Sequence, residues 1–172
     1  QARLAELIVQ TDVLITGMRP RALPSLGLTV EAMFAANPAL YHIGGVANVT
    51  WVGADDALLA FDTGPGNAMI DDWMRTRLAK AHDEDGALAA TGRVHEDYVT
   101  EYLRHSHFAV PPPKSLDRNA FPIELVGELS DADGAATLTA FAASAIARAR
   151  EHMPAEPRLW IVGGGGRKNR TL

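Results

Sequence analysis

Phe61-Asp62-Thr63-Gly64-Pro65-Gly66-Asn67 decides how this chain is read. Before it, Leu58-Leu59-Ala60-Phe61 is a continuous apolar run, the pattern of a short strand covered on both faces. After it, Ile70, Trp73, Met74 and Leu78 recur at helical spacing, with Asp71, Asp72, Arg75 and Arg77 on the other face and Asp71 placed to pair with Arg75. The unit reads as strand, turn, helix. Asp62 is expected at the carboxyl end of the strand. Gly64 and Gly66 allow positive φ and leave backbone N–H groups free for an anion, while Pro65 stiffens the turn. Asn67 can cap the helix, whose N-terminus adds positive potential. A carboxylate beside such a turn suits a base working next to a phosphoryl group; the plain alternative is a turn or cap aspartate.

Outward from this centre, Ile43 to Val52 is β-branched and strand-like, and Gly53-Ala54-Asp55-Asp56 turns it back onto the strand at 58–61 as a hairpin. Residues 82–92 are polar and poor in core side chains. A helix is expected from Glu96 to about Arg104. Pro111-Pro112-Pro113 must be extended in polyproline II geometry. Asp131 or Asp133 can start a further helix with an apolar stripe of Leu138, Phe141, Ala145, Ile146 and Ala149. Leu159 to Val162 reads as a buried strand running directly into Gly163-Gly164-Gly165-Gly166, which lets backbone approach a ligand closely or makes a tight turn. In the first forty residues, Leu4, Leu7 and Ile8 are helical in spacing, Val13 to Thr16 is strand-like, and two short helices follow over about 22–26 and 29–36. The fold class is α/β.

The 172 residues suffice for one ordinary domain with a real core. A formal charge of −5 argues against a nucleic-acid or anionic-membrane partner, both of which favour a concentrated basic face. No apolar run is long enough to span a bilayer, and Gln1-Ala2-Arg3-Leu4 lacks a signal-peptide layout, so the expected compartment is the cytoplasm. The absence of cysteine removes disulfides, thiolate catalysis and cysteine-bound metals. His105 and His107 would share a strand face, but no third ligand accompanies them at metal spacing, and no metal site is assigned. Lys114 and Arg118 bracket the proline loop, either as a basic pair holding a phosphate or carboxyl group or as a solvated loop.

Three blocks taken together carry a resemblance: Ile43 to Thr50, Phe61 to Asp71, and Val162 to Asn169. With Pro111 to Ser115, Arg118 and Phe121 as a fourth, they resemble the anhydro-N-acetylmuramic acid kinase family over about residues 42–172. The resemblance implies a partial RNase-H-like lobe of the sugar kinase, actin and Hsp70 superfamily. The implied reaction uses ATP and Mg²⁺, opens the anhydro bridge of the sugar with water, and yields N-acetylmuramic acid 6-phosphate in cell-wall (peptidoglycan) recycling. Asp62 matches the general base for that water. Thr63, Gly64, Gly66 and Asn67 match the second phosphate loop, and Gly163, Gly164 and Gly165 with Asn169 match the adenosine-side motif. Lys114 and Arg118 are the residues assigned to the sugar.

Residues 1–41 form a second segment. Thr11 to Ile15, Arg19-Pro20, Leu26-Gly27-Leu28 and Asn37 to Tyr41 resemble family III coenzyme A transferases, implying a short α/β segment fused ahead of the kinase lobe. The first phosphate loop of the kinase is expected to be absent, and with it several ATP contacts, so weak or no turnover is expected of these 172 residues. A second copy of the chain, or another chain supplying the missing lobe, is the partner expectation beside sugar and nucleotide. The alternatives are a CoA-ester-binding module or an inactive chimeric fragment.

Overall fold

The computed structural model describes residues 40–52, 57–156 and 162–172. The expectations for the first 39 residues, for the turn at 53–56 and for most of the strand at 159–162 lie outside these. Four strands form one sheet: β1 (Leu40–Ile43), β2 (Val46–Val52), β3 (Leu58–Pro65) and β4 (Val162–Gly163). Their spatial order is β3-β2-β1-β4. β1 to β3 are antiparallel in sequence, and β4 lies parallel to β1. Three helices complete the framework: α1 (Ala68–Leu78), α2 (Glu96–Leu103) and α3 (Asp131–Arg148).

The hairpin of β2 and β3 forms as expected, but two boundaries differ. The strand expected from Ile43 to Val52 is broken at Gly44-Gly45, where the chain reverses from β1 into β2. β3 does not stop at Phe61; it continues through Asp62, Thr63 and Gly64 to Pro65, because Val46 and Ala47 supply pairing partners for that extension. Asp62 is therefore inside a strand, and the turn shrinks to Gly66 and Asn67.

α1 buries Ile70, Trp73 and Met74 of the face its spacing predicts, with Ala68 and Met69 of its first turn, while Leu78 is only half-buried. Its charged face pairs differently from expectation: Arg75 contacts Asp72, one turn back, instead of Asp71. α3 starts with the Ser130 hydroxyl accepting from Asp133 N at 3.1 Å, so the cap is the serine, one residue before Asp131 and three before Asp133. Trp73 joins the helices by donating its Nε1–H to Asp131 O at 2.9 Å. The polar stretch after α1 is organised by Asp83, whose buried carboxylate accepts from Leu88 N at 2.9 Å and Ala89 N at 3.0 Å. The Pro112–Pro113 peptide is cis, which interrupts the expected polyproline II run.

The main core lies between α1, α2 and α3 and is aromatic at its centre. Tyr102 stacks on Phe141 at 4.6 Å between centroids, and Phe121 meets the same ring edge-on at 5.1 Å. Such pairs add about 0.5–1.5 kcal/mol each beyond area burial. Phe108 belongs to this cluster, 5.8 Å from Phe121, and so fixes the short 3-10 turn Ser106–Ala109 that carries His107 toward β3. His105 and His107 sit around this turn, where sequence spacing suggested a strand.

Candidate functional site

Asp62 lies on β3, one of the two outer strands of the described sheet. Its neighbours Phe61 and Thr63 line a small cavity with Phe108, Lys114, Ala145 and His152, and alternation turns Asp62 to the opposite face. Asp62 pairs with Asn48 and Gly64 pairs with Ala47, leaving Thr63 as an extra residue in β3. This is a β-bulge, a device that re-aims side chains next to functional sites. The buried Thr63 hydroxyl donates to Ala47 O at 3.2 Å and closes the irregularity.

The Asp62 carboxylate is held from one side. Leu116 N donates to Oδ2 at 2.8 Å, while among the described residues Oδ1 accepts no hydrogen bond. The Asp62 backbone is held by the same loop: its N–H donates to Lys114 O at 3.0 Å, and its carbonyl lies 2.9 Å from His107 Nε2.

The glycines next to Asp62 work differently from expectation. Among the described residues only Gly86 and Gly164 have positive φ among glycines, so Gly64 and Gly66 are not there for left-handed backbone. A Cβ at Gly64 would stand 2.6 Å from the Ala145 methyl, and one at Gly66 would stand 2.3 Å from Gly44 O. Both positions are glycine because another segment passes too close for a side chain. The N–H groups expected to be free are committed: Gly66 N and Ala68 N donate to Gly45 O at 2.9 and 3.0 Å, and Asn67 N donates to Gly44 O at 2.8 Å. Asn67 occupies the N-cap of α1 without a side-chain cap bond.

The glycine segments converge on the β1–β2 turn. Gly164, at φ 88°, lies so close to Ile43 that a Cβ would stand 2.1 Å from its carbonyl oxygen. Gly163 ends β4, and Gly165 opens a 3-10 turn within reach of the Asn67 amide. Asn67, Gly165 and Asn169 thereby line one cleft of about 330 Å³ with Asp71, His82, Asp83, Glu84, Asp85 and Lys168. The Asn169 side-chain oxygen accepts from Thr171 N and Leu172 N at 3.0 and 3.1 Å, which sets the rim. Burial holds the Asp71 carboxyl above its usual value, against the opposing pull of Arg75 and His82. Helical spacing places Asp71 on the charged face of α1 and does not separate it from Asp72.

Lys114 and Arg118 do not form one basic pair. Lys114 Nζ donates to His107 O at 2.9 Å and approaches His152 Nε2 at 3.3 Å. Arg118 pairs with Asp72 at 2.9 Å, and its Nε lies 3.8 Å from the Cβ position of Gly45. Burial raises the Asp72 carboxyl, but the Arg118 and Arg75 guanidiniums outweigh it and hold the group below its usual range.

The glycine-bearing segments that converge on the β1–β2 turn lie within a longer stretch that matches known proteins. The sequence profile described as anhydro-N-acetylmuramic acid kinase matches residues 12–172. The chain belongs to the anhydro-N-acetylmuramic acid kinase family. The anhydro-N-acetylmuramic acid kinase of Rhodospirillum rubrum is 52% identical over 164 residues, covering 95% of this chain and 44% of that protein. The protein of the same name from Methylobacterium nodulans is 49% identical over 162 residues, covering 93% and 43%. That of Rhizorhabdus wittichii is 46% identical over 171 residues, covering 99% and 47%. The chain thus spans under half the length of these relatives. Because the family match starts at residue 12, it runs through most of the stretch expected to resemble coenzyme A transferases. That expectation finds no support.

Proposed function

We propose that the chain carries part of the catalytic unit of an ATP-dependent kinase that opens the anhydro bridge of anhydro-N-acetylmuramic acid with water and phosphorylates the freed hydroxyl, giving N-acetylmuramic acid 6-phosphate in cytoplasmic cell-wall recycling. The observation that carries this reading is the Asp62 carboxylate, with one oxygen anchored on Leu116 N and the other without a hydrogen-bond partner among the described residues. An anchored carboxylate with one open oxygen can take a proton from a water placed beside it. In this reading Asp62 is the base, and Thr63, Gly64, Gly66 and Asn67 shape the strand end and turn facing the phosphates.

Gly163, Gly164, Gly165 and Asn169 form the adenosine side. The cleft that Gly165 and Asn169 share with Asn67 is of small-ligand size, and a Cβ at Gly165 would stand 3.6 Å from the Asn67 amide. Four acidic side chains on its wall suit the uncharged adenosine end of ATP better than its phosphates. ATP, when bound, supplies the phosphoryl group. No group of three or more His, Asp or Glu among the described residues is placed to hold a metal ion, so no step is derived through Mg²⁺. Arg118, beside the Gly45 turn, stays a candidate for the sugar; Lys114 faces inward and supports Asp62.

The strand order β3-β2-β1-β4, antiparallel through β3 with β4 parallel to β1, supports an RNase-H-like lobe for the unit from about residue 42 onward. Among the described residues no helix is long and apolar enough to cross a membrane. Calorimetric titration with a non-hydrolysable ATP analogue and with coenzyme A tests the proposal: heat with the first and none with the second is expected. Binding of coenzyme A alone would overturn it. Turnover with ATP and the anhydro sugar, if measurable in this chain, is expected to vanish in Asp62→Asn.

A further inference from the structure

Among the described residues β3 is an outer strand, and half of its backbone groups have no sheet partner there and need another. At Asp62 both groups find one in the same loop. Asp62 N–H donates to Lys114 O at 3.0 Å, Lys114 Nζ donates to His107 O at 2.9 Å, and His107 Nε2 lies 2.9 Å from Asp62 O. The contacts return to their starting residue. Leu116 N, two residues beyond Lys114, then fixes the side chain.

The chemistry of the ring assigns its protons. A carbonyl oxygen only accepts, so His107 must carry a proton on Nε2. Burial pushes the His107 imidazole below its usual pKa, helped by the nearby charges of Lys114 and His105 and opposed by the bond to Asp62 O and by the Asp62 charge. The ring is therefore neutral near pH 7, with Nδ1 unprotonated. His107 itself is buried and anchored through Phe108 in the aromatic core, so the loop transmits a rigid reference to the strand. Lys114 is held by a second acceptor, His152 Nε2, and lies over the Phe61 ring at 5.7 Å.

We infer that His107 and Lys114 are positioning residues for Asp62, closing a hydrogen-bonded ring that sets the backbone of the base on the outer edge of the described sheet. The inference rests on the reading of Asp62 proposed above. It does not depend on turnover to be tested.

The test uses the 172-residue chain labelled with ¹⁵N. In the unaltered chain at neutral pH, the His107 imidazole is expected to show a protonated Nε2 and an unprotonated Nδ1; a proton on Nδ1 overturns the inference. Amide exchange then reads the ring in variants. Asp62 N–H and Leu116 N–H are expected to exchange about tenfold faster in His107→Leu and Lys114→Met, the scale of losing one bond that restrains local opening. His107→Gln keeps a donor near the Nε2 position and is expected to restore protection. Unchanged protection in His107→Leu, or no difference between the leucine and glutamine variants, refutes the ring. If a variant fails to fold, the tautomer in the unaltered chain decides. Loss of the base assignment through active Asp62→Asn leaves these readouts untouched, so the two failures are distinguishable.

Discussion

Leu116 gives its backbone N–H to the Asp62 carboxylate at 2.8 Å across 54 positions of sequence. One side chain thus fastens the proline loop to the edge of the described sheet, while among the described residues its second oxygen accepts no hydrogen bond. Asp62→Ala leaves a half-buried N–H without an acceptor and is expected to destabilise the chain by about 1–2 kcal/mol. Asp62→Asn keeps an acceptor oxygen and should lose less than half of that. Urea unfolding of the two variants makes the comparison; equal stability of alanine and parent would show that the loop is held without the carboxylate.

Much of the frame was legible because it follows from local periodicity. The buried face of α1, the β2–β3 hairpin, α2 and the stripe of α3 all come from spacing that the chain obeys. Asp62 could be singled out because strand, glycine turn and helix are contiguous. What spacing could not give was the reason for the glycines. Gly64 needs Ala145 against it, and Gly66 needs Gly44 O, contacts fixed by tertiary packing and invisible to turn chemistry. The same holds for β3, which outruns its apolar stretch because Val46 and Ala47 are there to pair with it. Spacing marks His107 only beside His105, as a weighed metal pair on a strand face, and not as a support for Asp62, because its partner there is a backbone carbonyl, which every residue has.

Gly134, inside α3, faces the Trp73 ring; a Cβ there would stand 2.1 Å from Cζ2. Trp73 is 2% exposed and tied through Nε1 to Asp131 O, so it cannot withdraw. Alanine would gain about 1 kcal/mol of helix propensity, but overpacking costs about 1–3 kcal/mol. Gly134→Ala is expected to lower the urea midpoint, and a higher midpoint would mean that α1 and α3 are less tightly apposed than this.

Ala79 ends α1 in the left-handed region at φ 53°, with Ala79 N bonded to Arg75 O at 3.2 Å and Lys80 N to Met74 O at 3.1 Å. This is the helix-ending motif that glycine serves best, since a Cβ makes that backbone costly. Ala79→Gly is therefore expected to stabilise by up to about 1 kcal/mol, the reverse of its effect inside a helix. A drop in melting temperature would contradict the assigned cap.

Two histidines set an acid limit on stability. Burial depresses His107, and burial together with the Lys114 charge depresses His152, although Glu151 pulls the latter upward. Each is harder to protonate folded than unfolded, so below the ordinary histidine value of about 6.5 the unfolded chain binds more protons. Their contribution is fully present above that pH and is lost as pH falls through it toward the depressed folded values. Asp71, raised by burial, works in the opposite sense, but only from the carboxylate range upward and so does not cancel the trend from neutral pH down to about 6. Thermal unfolding followed from about pH 7.5 to 5.5 should show a falling midpoint, and replacing both histidines with glutamine should flatten the fall. An equally steep fall in the double variant would move the acid sensitivity elsewhere in the chain.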